Sequence, residues 1–275
     1  MSILARVNHS STPSGIRAVL AGVEKIGKTT LACTAPRVLL VPLEQGFGGV
    51  SVNKTPMLEA WSDVILLLDE ICQAVAARTF AYQTLAFDSA TALERLIHDD
   101  VLRKDPVYAK GNAKALTMEA ALGGYGKAYQ YANELYHGFL QRCDWLALQG
   151  INIILTSHVF ASKVVDPTAG EYDCYDLLLH SPKNQKAYGK REMTTQWADL
   201  VGFIYEPIYV TEGKTINKAV SANKGRMIGF ERTPGYVAGN RYGLTGELSL
   251  PKTQGWNYVA NAIHQSCGLD FFNRD

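Results

Sequence analysis

The chain has almost no net charge, few cysteines and no apolar run long enough to span a bilayer. Of its 275 residues, 27 are Lys or Arg and 26 are Asp or Glu, a formal balance of +1. No global basic field advertises nucleic acid, so any nucleic-acid site must be a local patch. The five cysteines, Cys33, Cys72, Cys143, Cys174 and Cys267, are odd in number, far apart and without a CxxC pair. That pattern argues against a disulfide framework and a structural zinc site, and predicts reduced thiols in the cytoplasm. No stretch approaches the roughly 18 apolar residues that a membrane span needs. The opening MSILARVNHSSTPSG lacks an apolar leader core, so a soluble protein with no signal peptide and no membrane partner is expected. Hydrophobic residues make up 47%, enough to bury a sizeable core.

What is present is a regular alternation of elements. GIRAVLAG (15–22) is a short apolar run rich in strand formers, ending in glycine before a helix start at KTTLACTA. RVLLVPLE (37–44) reads as a second buried strand, closed by a flexible QGFGG. SDVILLLDEICQAVAA has helical apolar spacing, with Ser62 or Asp63 placed to cap it. YQTLAFDSAT (82–91) is a third strand ending in Asp88, and ATALERLIHDDVLRK is a helix. A long helix is predicted over about 128–149, and INIILTSH (151–158) is a fourth strand. Residues 159–197 are polar, with several Pro and Gly, and are expected to form a long functional loop. ADLVGFIYEP is a fifth strand, IYVTEGKTINKAV a hairpin about TEGK, and GWNYVANAIHQSCG a terminal helix. Strands alternating with helices predict an α/β fold with a mainly parallel sheet. The expected organisation is a tail over 1–14, a core over 15–206, and a C-terminal β-rich appendage with its helix over 207–275.

The stretch AGVEKIGKTTLA holds the spacing G-x-x-x-x-G-K-T from Gly22 to Thr29. In its strand–turn–helix setting, the backbone amides of Gly22, Val23, Glu24, Lys25, Ile26, Gly27, Lys28, Thr29 and Thr30 form a cradle for phosphate oxygens. Lys28 would reach the β- and γ-phosphates of ATP, and the Thr29 hydroxyl would hold Mg²⁺. Asp88, at the end of its strand, is placed to hold the same ion, with Ser89 free to cap the next helix. Glu44 ends the second strand, where a glutamate polarises an attacking water as general base. Asp88 is followed by Ser89 and not by a glutamate, which strengthens Glu44 in that role. Ser157 and His158 end the fourth strand, where a polar side chain would contact the γ-phosphate. A different loop class, with a signature lysine in K-G-G-x-G-K-[TS], is not matched: Val23 occupies that position and Lys25 lies two residues later. A kinase reading needs an acceptor site and a lid, which nothing after Asp88 specifies.

Taken in order, GVEKIGKTT, LLVPLEQG, TLAFDSAT, GYGKAYQYANELYHGFL, NIILTSH and ADLVGFIYE resemble the RecA-like phage nucleotide-binding ATPases, among them the Sak-type single-strand annealing group. The likeness runs from about Ile16 to Leu248. It implies a RecA-like P-loop NTPase core, Glu44 as the catalytic base and the Ser157–His158 position as the γ-phosphate sensor. AGNRYGLTGEL (238–248) is similar to the KNRFG motif of RadA- and DnaB-type ring ATPases, with Gly239 where that motif has lysine. By that likeness Arg241 would be a finger reaching a neighbour's ATP, with Arg226 and Arg232 as rivals. Such a finger implies a homo-oligomer, ring or filament.

The resemblance also places the loop after the fourth strand on the DNA side. Over 159–197 five basic and five acidic residues cancel, but the half SPKNQKAYGKRE is net positive. Lys183, Lys186, Tyr188, Lys190 and Arg191 are therefore the expected contacts to single-stranded DNA, by phosphate neutralisation and base stacking. A second candidate is 103–127, at +3. The expected function is an ATP- and Mg²⁺-dependent ATPase that binds single-stranded DNA and promotes annealing or recombination in phage DNA metabolism. A single-strand-binding protein is a candidate partner, and the cytoplasm of a bacterial host the expected location. The alternatives are an NTP-dependent regulator or loader acting on a protein, and a nucleotide-binding structural subunit with little hydrolysis.

Overall fold

A computed structural model describes residues 14–46, 48–111, 117–168, 170–182, 188–211, 218–222, 225–251 and 253–271. Four apolar runs become the centre of the molecule: β1 (Arg17–Gly22), β2 (Val38–Pro42), β4 (Thr84–Asp88) and β5 (Asn152–Ser157). With β8 (Leu200–Tyr205) and the two-residue β3 (Asn53–Lys54) they form a parallel sheet in the order β8-β1-β5-β4-β2-β3. Every residue of β2, β4 and β5 is buried, as expected of strands covered on both faces.

The side-chain alternation of the strands splits the core in two. Val19, Ala21, Leu39, Val41, Leu85 and Phe87 face one layer, which α2 (Trp61–Ala76), α3 (Ala90–Lys104) and α5 (Lys127–Leu148) cover through Trp61, Leu68, Leu93, Ile97, Tyr136 and Phe139. Ala18, Leu20, Leu40, Ala86 and Ile154 face the other, filled by α1 (Lys28–Ala32) and α7 (Gly255–Cys267) through Leu31, Trp256, Val259 and Ile263. The result is the α/β arrangement expected, a mostly parallel sheet between helical layers. Among the described residues, no helix is long and apolar enough to cross a membrane.

One region differs from expectation. Residues 159–177 are not a loop but an antiparallel ribbon, β6 (Val159–Asp166) and β7 (Gly170–Leu177), paired from Val159↔Leu177 to Asp166↔Gly170. Its turn is organised by Asp166, whose Oδ1 accepts from the Thr168 amide at 2.7 Å. The ribbon lies outside the main sheet and much of it is solvated, so no fully buried run marks it in sequence. After Leu178–Pro182, the chain forms α6 (Lys190–Trp197). β11 (Arg226–Gly229) and β12 (Gly239–Asn240) pair antiparallel with β8, and β13 (Glu247–Leu250) with β11, so these strands extend the central sheet. The expected hairpin is formed by β9 (Ile208–Thr211) and β10 (Lys218–Ser221), while most of its TEGK turn lies outside the described residues.

Candidate active site

The phosphate loop leaves the sheet at Gly22 because only a residue without a side chain fits there. A Cβ at Gly22 would stand 2.6 Å from the Ile204 carbonyl oxygen of β8. At the other end Gly27 has φ 95°, which favours glycine, and no side chain caps the helix that follows. Lys28 is 6% exposed, and its ammonium donates to the carbonyls of Gly22 and Val23, both at 2.8 Å. Burial lowers its pKa, opposed by the charges of Asp88, Glu44 and Glu24.

The strand order brings the second half of the site to this loop. β5 lies between β1 and β4, so the end of β5 meets both the loop and Asp88. Asp88 is buried; its Oδ2 accepts from the Thr29 hydroxyl at 2.8 Å, and its Oδ1 from the Thr156 hydroxyl. A carboxylate and a hydroxyl oxygen at this separation suit Mg²⁺, a hard cation that keeps most of its waters and takes one or two carboxylates. Among the described residues no three His, Cys, Asp or Glu side chains cluster as a metal cage, and Mg²⁺ needs none. Ser89 caps α3, accepting from the Ala92 amide at 3.2 Å.

Across the cleft, Glu44 Oε1 lies 2.8 Å from His158 Nε2. Burial pushes the Glu44 carboxyl up, but hydrogen bonds from His158 and Ser89 and the charges of His158 and Arg95 outweigh it and hold the group below its ordinary value. Glu44 is therefore an ionised acceptor at neutral pH. His158 is itself fixed through its backbone: its amide donates to the Thr91 hydroxyl at 3.2 Å, and its carbonyl accepts from the Leu178 amide at 2.8 Å. The Nδ1 of His158 is buried without a hydrogen-bond partner, so Nε2, which faces Glu44, is the ring nitrogen engaged in the site. These groups enclose a cleft of about 530 Å³ lined by Glu24, Lys25, Gly27, Lys28, Thr29, Thr30, Glu44, Asp88, Arg95 and His158, among others.

Several expected residues take other places. Ser157 is fully buried and donates to the His158 carbonyl at 3.0 Å, so of the two strand-end residues only His158 faces the cleft. Gly22, Val23 and Ile26 serve the loop by their carbonyls, which bind Lys28 and Arg226. Arg241 lies at the opposite end of the sheet from its own phosphate loop, with its backbone amide on the Asp199 carbonyl at the start of β8. Its guanidinium pairs with Asp199 at 2.8 Å, an ion that also binds Arg17 at 2.6 Å. Of the expected DNA contacts, Lys183 and Lys186 lie outside the described residues, and Tyr188 is 65% exposed. Lys190 does not belong with them: it is fully buried, 3.3 Å from Glu94 and 3.1 Å from His98 Nε2. Arg191 is engaged with Asp176 at 3.1 Å and Glu192 at 3.0 Å.

Sequence reasoning missed Arg95 and Thr156. Arg95 follows Thr91 by one helical turn on α3, so the face that holds His158 also carries this exposed cation into the cleft. The i, i+4 spacing from Thr91 in TALER was the available signal.

Residues 14–242 match the family model described as AAA domain. Among curated proteins, none matches the chain. Among solved structures, the chain is similar to the RadB recombinase, at 13% identity over 88% of this chain and 90% of that one, with a TM-score of 0.43. It is also similar to a KaiC-like protein from the hyperthermophilic archaeon Pyrococcus horikoshii OT3, at 13% identity over 87% and 91%, with a TM-score of 0.35.

Proposed function

The chain belongs to the AAA domain family, and from that premise we propose that it binds Mg-ATP in the cleft above β1, β5 and β4 and hydrolyses it. The observation that carries this reading is the convergence of Thr29, Asp88, Glu44 and His158, drawn from four separate segments, on one cleft beside the phosphate loop. ATP supplies the phosphoanhydride to be cleaved, and Mg²⁺ neutralises charge on its phosphates. Lys28 and the loop amides bind phosphate oxygens, while Thr29 and Asp88 hold the ion's protein side. Glu44 takes the proton of the attacking water, and His158 fixes the Glu44 carboxylate for that task.

The output we propose is grip on single-stranded DNA, used for annealing or recombination in phage DNA metabolism. Support comes from the resemblance of the sequence motifs and from Tyr188, an exposed aromatic near the start of α6. We further propose that Arg241 completes a neighbour's site. It stands about 20 Å from its own loop, the length of a six-residue strand, so it serves only a subunit stacked head to tail. Phosphate release should be measured with and without single-stranded DNA, over a range of protein concentrations at low salt. Stimulation by DNA, rising with concentration, is expected. Phosphate release that DNA never stimulates, with no single-strand binding at low salt, would remove the DNA output and leave a nucleotide-driven regulator of a protein partner.

A further inference from the structure

Arg226 opens β11, far along the chain from the phosphate loop, yet its guanidinium lies directly behind that loop. Its Nη1 donates to the Ile26 carbonyl at 3.2 Å and to the Gly27 carbonyl at 3.3 Å. Its Nη2 donates to the Pro251 carbonyl at 3.3 Å. The approach is close enough that a Cβ on Gly27 would stand 1.9 Å from Nη1.

In a trans peptide unit the C=O and N–H point in opposite directions. Drawing the Ile26 carbonyl toward Arg226 therefore aims the Gly27 N–H the other way. The Gly27 carbonyl also accepts from the Leu31 amide at 3.0 Å, so the Lys28 N–H is aimed by α1 and Arg226 together. Gly27 and Lys28 both line the cleft. We infer that Arg226 is a positioning residue for the nucleotide phosphates, holding two consecutive loop amides aimed into the cleft before any nucleotide arrives. The inference rests on reading the cleft as the Mg-ATP site.

The residue type suits the task. A guanidinium fork spans carbonyls from two segments at once, with charge-assisted bonds, whereas a lysine offers a single point of attachment. Amides fixed in advance need no ordering when phosphate binds, which strengthens binding without a new contact. The Pro251 contact also ties the loop to the segment entering α7, where the Trp256 amide donates to the Thr34 hydroxyl at 2.9 Å.

Arg226→Ala and Arg226→Lys should be compared with wild type by Mg-ADP titration, by melting of the nucleotide-free protein, and by the amide NMR signals of Gly27 and Lys28. For Arg226→Ala, Mg-ADP affinity is expected to fall about tenfold, through lost pre-organisation. The KM for ATP should rise in parallel, with kcat changed by no more than about twofold. Both amide signals should shift or broaden in the nucleotide-free variant, and Arg226→Lys should rescue only in part. Wild-type affinity together with unmoved amide signals in Arg226→Ala would overturn the inference. So would an affinity loss matched by an equal loss of folded protein, with Arg226→Lys behaving as wild type. If wild type itself binds no Mg-ADP, the nucleotide reading fails first, which is a separate result.

Discussion

His158 Nε2 stands 2.8 Å from Glu44 Oε1 and so joins the ends of two strands that are not neighbours. β5 and β2 flank β4, and the pair arches over the end of β4, where Asp88 and Ser89 sit. The proposed base, its orienting histidine and the metal-side carboxylate are thus one connected group.

Glu44→Gln should keep the shape of this group while removing the proton acceptor. Phosphate release is expected to fall by roughly 10²–10⁴-fold, the usual yield of a general base. Nucleotide affinity should stay near wild type. Unchanged phosphate release would remove Glu44 as the base.

His158→Ala should show itself in the pH profile. Glu44 is held below its ordinary pKa, so its ionised form stabilises the fold above the unfolded value of about 4.3, and that contribution is lost as pH falls through the lower folded value. Without the His158 hydrogen bond the folded pKa rises toward the unfolded one. The acid limb of kcat/KM should move to higher pH, and part of the acid-side stability should disappear. An acid limb that stays in place would show that His158 does not tune Glu44.

Lys190→Ala tests whether a basic residue of the expected DNA segment is structural. The ammonium is buried beside a Glu94 side chain that is 12% exposed, so its removal takes the ammonium partner from a buried carboxylate otherwise held by the His180 amide at 2.9 Å. Urea unfolding should show a loss of about 3–5 kcal/mol, largely recovered in Lys190→Met combined with Glu94→Gln. The salt dependence of single-strand binding should not change, whereas a lysine on a phosphate would lower its slope by about 0.7.

Arg241→Ala and Lys28→Ala, each inactive alone, should regain part of the ATPase activity when mixed. A mixed interface can present an intact loop to an intact Arg241. Absence of recovery at every mixing ratio would mean that Arg241 acts only through its ion pair with Asp199.

The parts of the site legible in sequence were those with local signatures. The loop spacing, the carboxylates that end apolar strands and the Ser89 cap each occupy a few consecutive residues, and the buried strands announced themselves by apolar runs. Arg226 and Thr156 carry no such mark, since their roles come from which strand lies beside which. β6 and β7 were hidden for another reason. They form a ribbon outside the main sheet whose residues are mostly half-buried or exposed, so no continuous buried run marks them. Lys190 misled because a lysine in a basic run looks solvated, and only the fold reveals Glu94 beneath it.

The long span between the phosphate loop and Arg226 has a consequence for the protein as it is made. Ile26 and Arg226 are 200 positions apart. At about 5–20 residues per second, a ribosome takes roughly 10–40 s to cover that interval. During that time a nascent chain displays its loop motif without the arginine behind it and, for most of the interval, without β8, one of the two strands that flank β1. Fragments released early would carry the nucleotide signature in their sequence but not the braced loop, so they would compete poorly for ATP with the finished protein.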